Sequence, residues 1–123
     1  MKIALLGDGG WGTALAILLA NKGYQVFLWG AFKDYVDFLN KERENVKFLP
    51  SVRIPKEIVI SADLKEVITN AALITLAVPS HVMRSVVRRL KGYDFSRSII
   101  LSVAKGIENK TLARMSKVIS EEI

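Results

Sequence analysis

The chain has 123 residues, half of them hydrophobic and 24% charged, with a formal net charge of +6. That length suits one domain of roughly 100–150 residues with its own core and leaves no room for a second. The absence of cysteine excludes disulfides and thiolate metal sites. The apolar run behind Met1-Lys2 is too short for a signal-peptide core or for a membrane span of roughly 20 residues, so a cytoplasmic protein with no membrane partner is expected.

The basic residues Arg84, Arg88, Arg89 and Lys91 lack the interleaved aromatics that single-strand binders use for stacking. They read as a solvated helix face, and nucleic acid is not an expected partner. His81 is the only histidine, so no multi-histidine metal site is expected.

In chain order, Ile3-Ala4-Leu5-Leu6 is an uninterrupted apolar run, which suits a strand buried on both faces of a parallel sheet. Leu15, Leu18 and Leu19 recur at helical spacing between Trp11 and Lys22, and Gly23 stands where a left-handed cap ends a helix. Gln25 to Trp29 reads as a second strand, which completes a βαβ unit by residue 30. A helix over Lys33 to Glu42 follows, with Tyr35, Val36 and Leu39 as its apolar stripe. Arg43 to Glu57 contains Pro50 and Pro55 and reads as a long loop.

Ile58-Val59-Ile60 is a short strand, and Asp63 or Ser61 can cap a helix running through Val67. Leu73 to Val78 is another buried strand, stopped by Pro79. Val82, Val86 and Leu90 then mark a helix, Ile99-Ile100-Leu101 a strand, and Leu112, Met115 and Ile119 a last helix. Strands alternating with helices in this way predict an α/β fold, a doubly wound and mainly parallel Rossmann sheet of order 3-2-1-4-5. Ligands of such sheets bind beyond the carboxyl ends of the strands where the order reverses. The loops Gly7 to Gly12, Val78 to His81 and Val103 to Ile107 should meet there.

Gly7-Asp8-Gly9-Gly10-Trp11-Gly12 carries the spacing Gly-x-Gly-x-x-Gly between a strand and a helix. The first glycine permits the turn, the second lets backbone approach a pyrophosphate, and the third lets helix pack on strand. Free N–H groups and the positive end of the helix dipole then face the phosphates. A dinucleotide, NAD or NADP, is the expected cofactor.

The acid that usually follows about 20 residues later, to bind the ribose hydroxyls, is missing from Trp29-Gly30-Ala31-Phe32-Lys33. Lys33 can approach a 2′-phosphate, which leaves both cofactors open. Phe32 is a candidate cover for the adenine, or a plain core or surface aromatic. Lys105, just past the fifth strand, suits phosphate or nicotinamide-side contacts, or is a surface lysine on a turn closed by Gly106. Pro79 ends its strand, and Ser80 can cap the helix behind it.

Taken together, Gly7 to Ala16, Leu28-Trp29-Gly30, Glu44 to Pro50, Ala77 to His81 and Ala104 to Glu108 resemble the N-terminal domain of glycerol-3-phosphate dehydrogenases that use NAD or NADP. The resemblance implies hydride transfer between the nicotinamide cofactor and dihydroxyacetone phosphate, giving glycerol 3-phosphate for glycerophospholipid synthesis. It implies that Gly10 and Trp11 lie along the cofactor and that Lys105 contacts both cofactor and substrate; with the glycine motif and the loops at the strand ends, the expected cofactor contacts are Gly7, Gly9, Gly10, Trp11, Gly12, Phe32, Pro79 and Lys105.

Two positions depart from the family. Asp8 stands where alanine is commoner, and an acid inside the phosphate loop is a feature that can weaken cofactor binding. Ala31 stands where a basic residue is often found, which argues against a strong preference for NADP. The family's catalytic lysine, its general base, belongs to a helical C-terminal domain outside these 123 residues. The whole chain is therefore expected to be the cofactor domain, with no catalytic residue of its own and inactive alone, and the full-length enzyme a homodimer. The alternative is a non-catalytic dinucleotide sensor or scaffold.

Overall fold

In the computed structural model, which describes residues 1–104, 111 and 113–123, the run behind Met1 becomes the central strand, β1 (Lys2–Leu6). Its side chains alternate between two cores, as the pleat of a strand requires. Ile3 and Leu5 point into one core with Val26, Leu28, Val36 and Leu39, while Ala4 and Leu6 point into the other with Trp29, Leu76, Met83 and Val87. All four residues are essentially inaccessible to solvent. The absence of any polar residue from this run thus reflects a strand covered on both faces.

Around β1 lie β2 (Gln25–Trp29), β5 (Val59–Ser61), β6 (Leu73–Leu76) and β7 (Ile99–Ser102), all parallel, in the order β5-β2-β1-β6-β7. The numerals differ from the expected 3-2-1-4-5 because two strands of a separate hairpin intervene in the chain. The segment predicted as a long loop holds β3 (Glu44–Asn45) and β4 (Leu49–Arg53), paired antiparallel with an irregular register. Counted within the main sheet alone, the order runs third, second, first, fourth, fifth. The order of the strands reverses between β1 and β6, and their last residues, Leu6 and Leu76, stand side by side.

The helix α1 (Gly10–Asn21) starts one residue before the expected Trp11. Its fully buried face is formed by Gly12, Thr13 and Ala16; of the leucine stripe read from the sequence, Leu15 and Leu19 pack partly buried against the core while Leu18 is 51% exposed. Small residues win that face because the helix sits hard against the first loop: a Cβ on Gly12 would lie 2.0 Å from the Gly7 carbonyl oxygen. Gly23 takes the positive φ of +93° expected just past the helix.

The helix α2 spans Lys33–Glu42 as predicted and buries Val36 and Leu39. Asp63, rather than Ser61, caps α3 (Leu64–Ile68), accepting from the Lys65 and Glu66 N–H groups. Ser80 does not cap. Ser80–Val82 is a 3-10 turn with no side-chain cap, leading into α4 (Met83–Arg88). The last helix, α5 (Met115–Glu122), buries Met115 and Val118, and Leu112 lies outside the described residues.

The basic face of α4 is partly neutralised rather than simply solvated. Arg84 Nη2 lies 2.9 Å from Glu121 Oε1, and Arg88 Nε lies 2.8 Å from Glu122 Oε2. Among the described residues no helix is long and apolar enough to cross a membrane.

Candidate dinucleotide cleft

Backbone hydrogen bonds draw the loops together at the carboxyl ends of the strands. The Gly7 N–H donates to the Trp29 carbonyl at 2.9 Å, the Ala77 N–H to the Leu6 carbonyl at 2.8 Å and the Val103 N–H to the Leu76 carbonyl at 3.0 Å. The crowding forbids a side chain at position 7. Gly7 has φ +128°, and a Cβ there would meet the Ala77 carbonyl group at 2.8 Å. Where the loops separate they leave a cleft of about 640 Å³. Gly9, Gly10 and Trp11 form one wall, with Ala77, Val78 and Pro79 opposite. Val103, Ala104 and Phe48 complete the lining.

Two other concavities, of about 680 and 830 Å³, lie at the amino ends of the strands around Tyr93 and Lys2. A third, of about 390 Å³, lies beyond β5 around Lys33 and Ser61, and position in the sheet favours the cleft between Gly9 and Val78, since open parallel sheets bind ligands beyond their carboxyl ends at the reversal of strand order.

Gly9 shows what the cleft is shaped for. Its φ of −73° and ψ of −174° are open to any residue, and a Cβ there would have no atom of the described residues within 4 Å. The fold therefore does not require glycine at this position, although it does at Gly7 and Gly12. Glycine there suits the N-cap position and leaves the backbone open to close approach from the cleft. Gly9 is also the N-cap of α1 and has no side-chain cap, and the first turn holds no acid. The first N–H groups of a helix lack intrahelical partners, so the glycine loop presents donors and the positive end of a dipole together.

The hairpin, which sequence reasoning missed as structure, holds this loop in place. Asn45 is fully buried and its Nδ2 donates to the Asp8 carbonyl at 2.7 Å and to Thr13 Oγ1 at 2.9 Å. Its Oδ1 accepts from the Tyr35 hydroxyl, which itself accepts from the Lys47 N–H at 3.3 Å. Thr13 Oγ1 also donates to the Asp8 carbonyl at 3.4 Å. Phe48 is thereby hung over the glycine loop, with its carbonyl oxygen 2.6 Å from where a Gly10 Cβ would stand. Spacing carries no sign of this; the only hint was the Glu44 to Pro50 stretch within the family resemblance.

Asp8 turns its side chain towards the end of β2. Oδ2 is buried with no hydrogen-bond partner among the described residues. Burial pushes the carboxyl pKa up, opposed by a hydrogen bond to its own backbone.

Of the expected site residues, Gly9, Gly10, Trp11 and Pro79 line the cleft, while Gly7 and Gly12 shape the loop beneath it. Phe32 is 75% exposed at the start of α2 and is not among the lining residues. Lys33 is bound to Asp37 at 3.1 Å on the surface of α2. Lys105 lies outside the described residues, as do Gly106, Ile107 and Glu108.

Comparison with known proteins agrees with this geometry. The family described as NAD-dependent glycerol-3-phosphate dehydrogenase N-terminus matches residues 2–123. The glycerol-3-phosphate dehydrogenase [NAD(P)+] of Thermoanaerobacter sp. (strain X514) is 46% identical over 121 residues, 98% of this chain and 36% of the relative. The crystal structure of glycerol-3-phosphate dehydrogenase from Coxiella burnetii superposes with a TM-score of 0.91 at 34% identity, covering 98% of this chain and 37% of that one. The enzyme from Saccharomyces cerevisiae gives 0.85 at 28% identity, covering 100% and 39%. The chain thus spans just over a third of the relatives it matches.

Proposed function

We propose, for a chain that belongs to the NAD-dependent glycerol-3-phosphate dehydrogenase N-terminus family, that it is the cofactor-binding part of an enzyme interconverting dihydroxyacetone phosphate and sn-glycerol 3-phosphate. The observation that carries this reading is Gly9, a glycine demanded by neither backbone angle nor neighbouring atoms and placed where a pyrophosphate would lie. The N–H groups at the start of α1 would hold that pyrophosphate, with Gly9 and Gly10 allowing its approach. Trp11, Phe48 and Pro79 would wall the cleft and exclude water. When bound, the nicotinamide supplies or accepts the hydride.

The glycerol 3-phosphate so formed feeds glycerophospholipid synthesis. The reading keeps Lys105 as the group that contacts both cofactor and substrate phosphate, and Phe32 as an outer contact of the adenosine. It assigns the proton-transferring base to a helical domain beyond these 123 residues, and to the full-length protein a cytoplasmic, homodimeric state.

Calorimetric titration of the purified chain with NADH and NADPH tests the cofactor role. Binding of at least one is expected. Gly9→Ala should weaken it tenfold or more while moving the urea midpoint little, because the added methyl meets only the ligand. Failure of both nucleotides to bind at millimolar concentration, or unchanged binding by Gly9→Ala, would refute the assignment. Nucleotide-dependent reduction of dihydroxyacetone phosphate by the full-length protein tests the reaction.

A further inference from the structure

We infer that Asp8, from within the glycine loop, replaces the acid missing from the end of β2 and makes this domain select NAD over NADP. The inference rests on the dinucleotide reading above. In sheets of this kind a carboxylate at the end of the second strand accepts hydrogen bonds from the adenosine ribose hydroxyls. Here that position is occupied by Gly30-Ala31-Phe32, none of which can accept through a side chain.

The carboxylate is nonetheless present in the same place, delivered from another element. A Cβ built on Gly30 would stand 2.3 Å from Asp8 Oδ2 and 2.9 Å from its Cγ. The carboxyl group therefore fills the volume in which a side chain at position 30 would begin. Gly30 is glycine for a matching reason, since any larger residue would displace Asp8 or strike Val36, whose Cγ2 lies 2.7 Å from the same point.

Two further observations point the same way. Asp8 Oδ2 is buried with no hydrogen-bond partner among the described residues, and a buried acceptor left unpaired is costly. Once the side chain turns outward from beside Gly30, a ribose hydroxyl can donate to its carboxyl group, whereas a 2′-phosphate brings only acceptors and like charge. The cation best placed by sequence to offset that repulsion, Lys33, has its ammonium 3.1 Å from both Asp37 oxygens. Lys47 is also engaged, with Nζ over the Tyr35 ring at 4.9 Å from its centroid.

The test measures dissociation constants for NADH and NADPH at neutral pH on the wild-type chain, Asp8→Asn and Asp8→Ala, with urea unfolding confirming that each variant is folded. The wild type should bind NADH at least tenfold more tightly than NADPH. Asp8→Asn, close in shape and still able to accept from a hydroxyl, should keep most of the NADH affinity and gain on NADPH. Asp8→Ala should lose on NADH and gain on NADPH, moving the ratio by tenfold or more. Equal affinities in the wild type, or a ratio unchanged in both variants, would overturn the role of Asp8 and leave dinucleotide binding intact. Binding of neither nucleotide to the wild type would overturn both.

Discussion

Asn45→Ala should loosen the glycine loop from a distance, and its cost follows from the hydrogen bonds it removes. The substitution deletes the donations from Nδ2 to the Asp8 carbonyl and to Thr13 Oγ1, together with the acceptor used by the Tyr35 hydroxyl. A net hydrogen bond is worth about 1 kcal/mol, and a buried polar group left without a partner costs about 1–3 kcal/mol. The Asp8 carbonyl retains the Thr13 hydroxyl, and Tyr35 retains the Lys47 N–H, so the orphaning is incomplete. A loss of about 2–4 kcal/mol results. With a urea slope of roughly 2 kcal/mol/M, the unfolding midpoint should fall by roughly 1–2 M. Asn45→Asp, which keeps the acceptor but has no amide donors, should also destabilise. Circular dichroism in urea reads both changes. A loss under about 1 kcal/mol at an unchanged slope would show that the hairpin does not hold the loop.

Other outcomes follow from the same geometry. Gly12→Ala places a methyl 2.0 Å from the Gly7 carbonyl oxygen, against backbone that cannot yield, and should cost about 3 kcal/mol or more. Gly9→Ala should cost less than about 1 kcal/mol, and equal costs in parallel urea titrations would contradict the steric account. Burial raises the Asp8 pKa, so between the ordinary carboxylate value near 4 and the raised one the folded state holds more protons than the unfolded state, and stability falls as pH rises. Asp8→Asn removes that slope, so its stability advantage over wild type should be larger at pH 7 than at about pH 4. A pH-independent difference would refute this; the lowered carboxyl pKa values of Asp94 and Glu122 are common to both proteins and cancel. In the full-length protein, Lys105→Ala should raise KM for dihydroxyacetone phosphate by roughly tenfold or more, as loss of a charged hydrogen bond implies, and unchanged kinetics would remove Lys105 from the site.

The glycine loop and the strand pattern were legible because each rests on local rules. An apolar run flanked by glycine needs a buried strand, and Gly-x-Gly-x-x-Gly between strand and helix needs a turn with exposed donors. What escaped was set by distant partners. Nothing near Asn45 in sequence shows that its amide returns to Asp8, 37 residues away, and the two prolines of the segment masked a short hairpin. The leucine stripe of α1 held for Leu15 and Leu19 but not for Leu18, because periodicity counts apolar residues, whereas a helix pressed against a turn buries its smallest ones deepest. Of the alternatives open for Phe32, adenine cover or a plain core or surface aromatic, its exposure at the start of α2 excludes only the core one.

The arrangement of the sheet also has a consequence for how the chain matures during synthesis. β1 meets β2 across a short helical crossover, but its other edge must wait for β6, with Ile3 opposite Leu73 and Leu6 opposite Leu76. Some 47 residues separate Trp29 from Leu76, which at ribosomal speeds is a delay of roughly 2–9 s. During that interval a nascent βαβ unit would present an unpaired strand edge and an apolar surface that α4 and β6 later cover. The most buried strand of the finished domain is thus the one most in need of shielding as the polypeptide emerges.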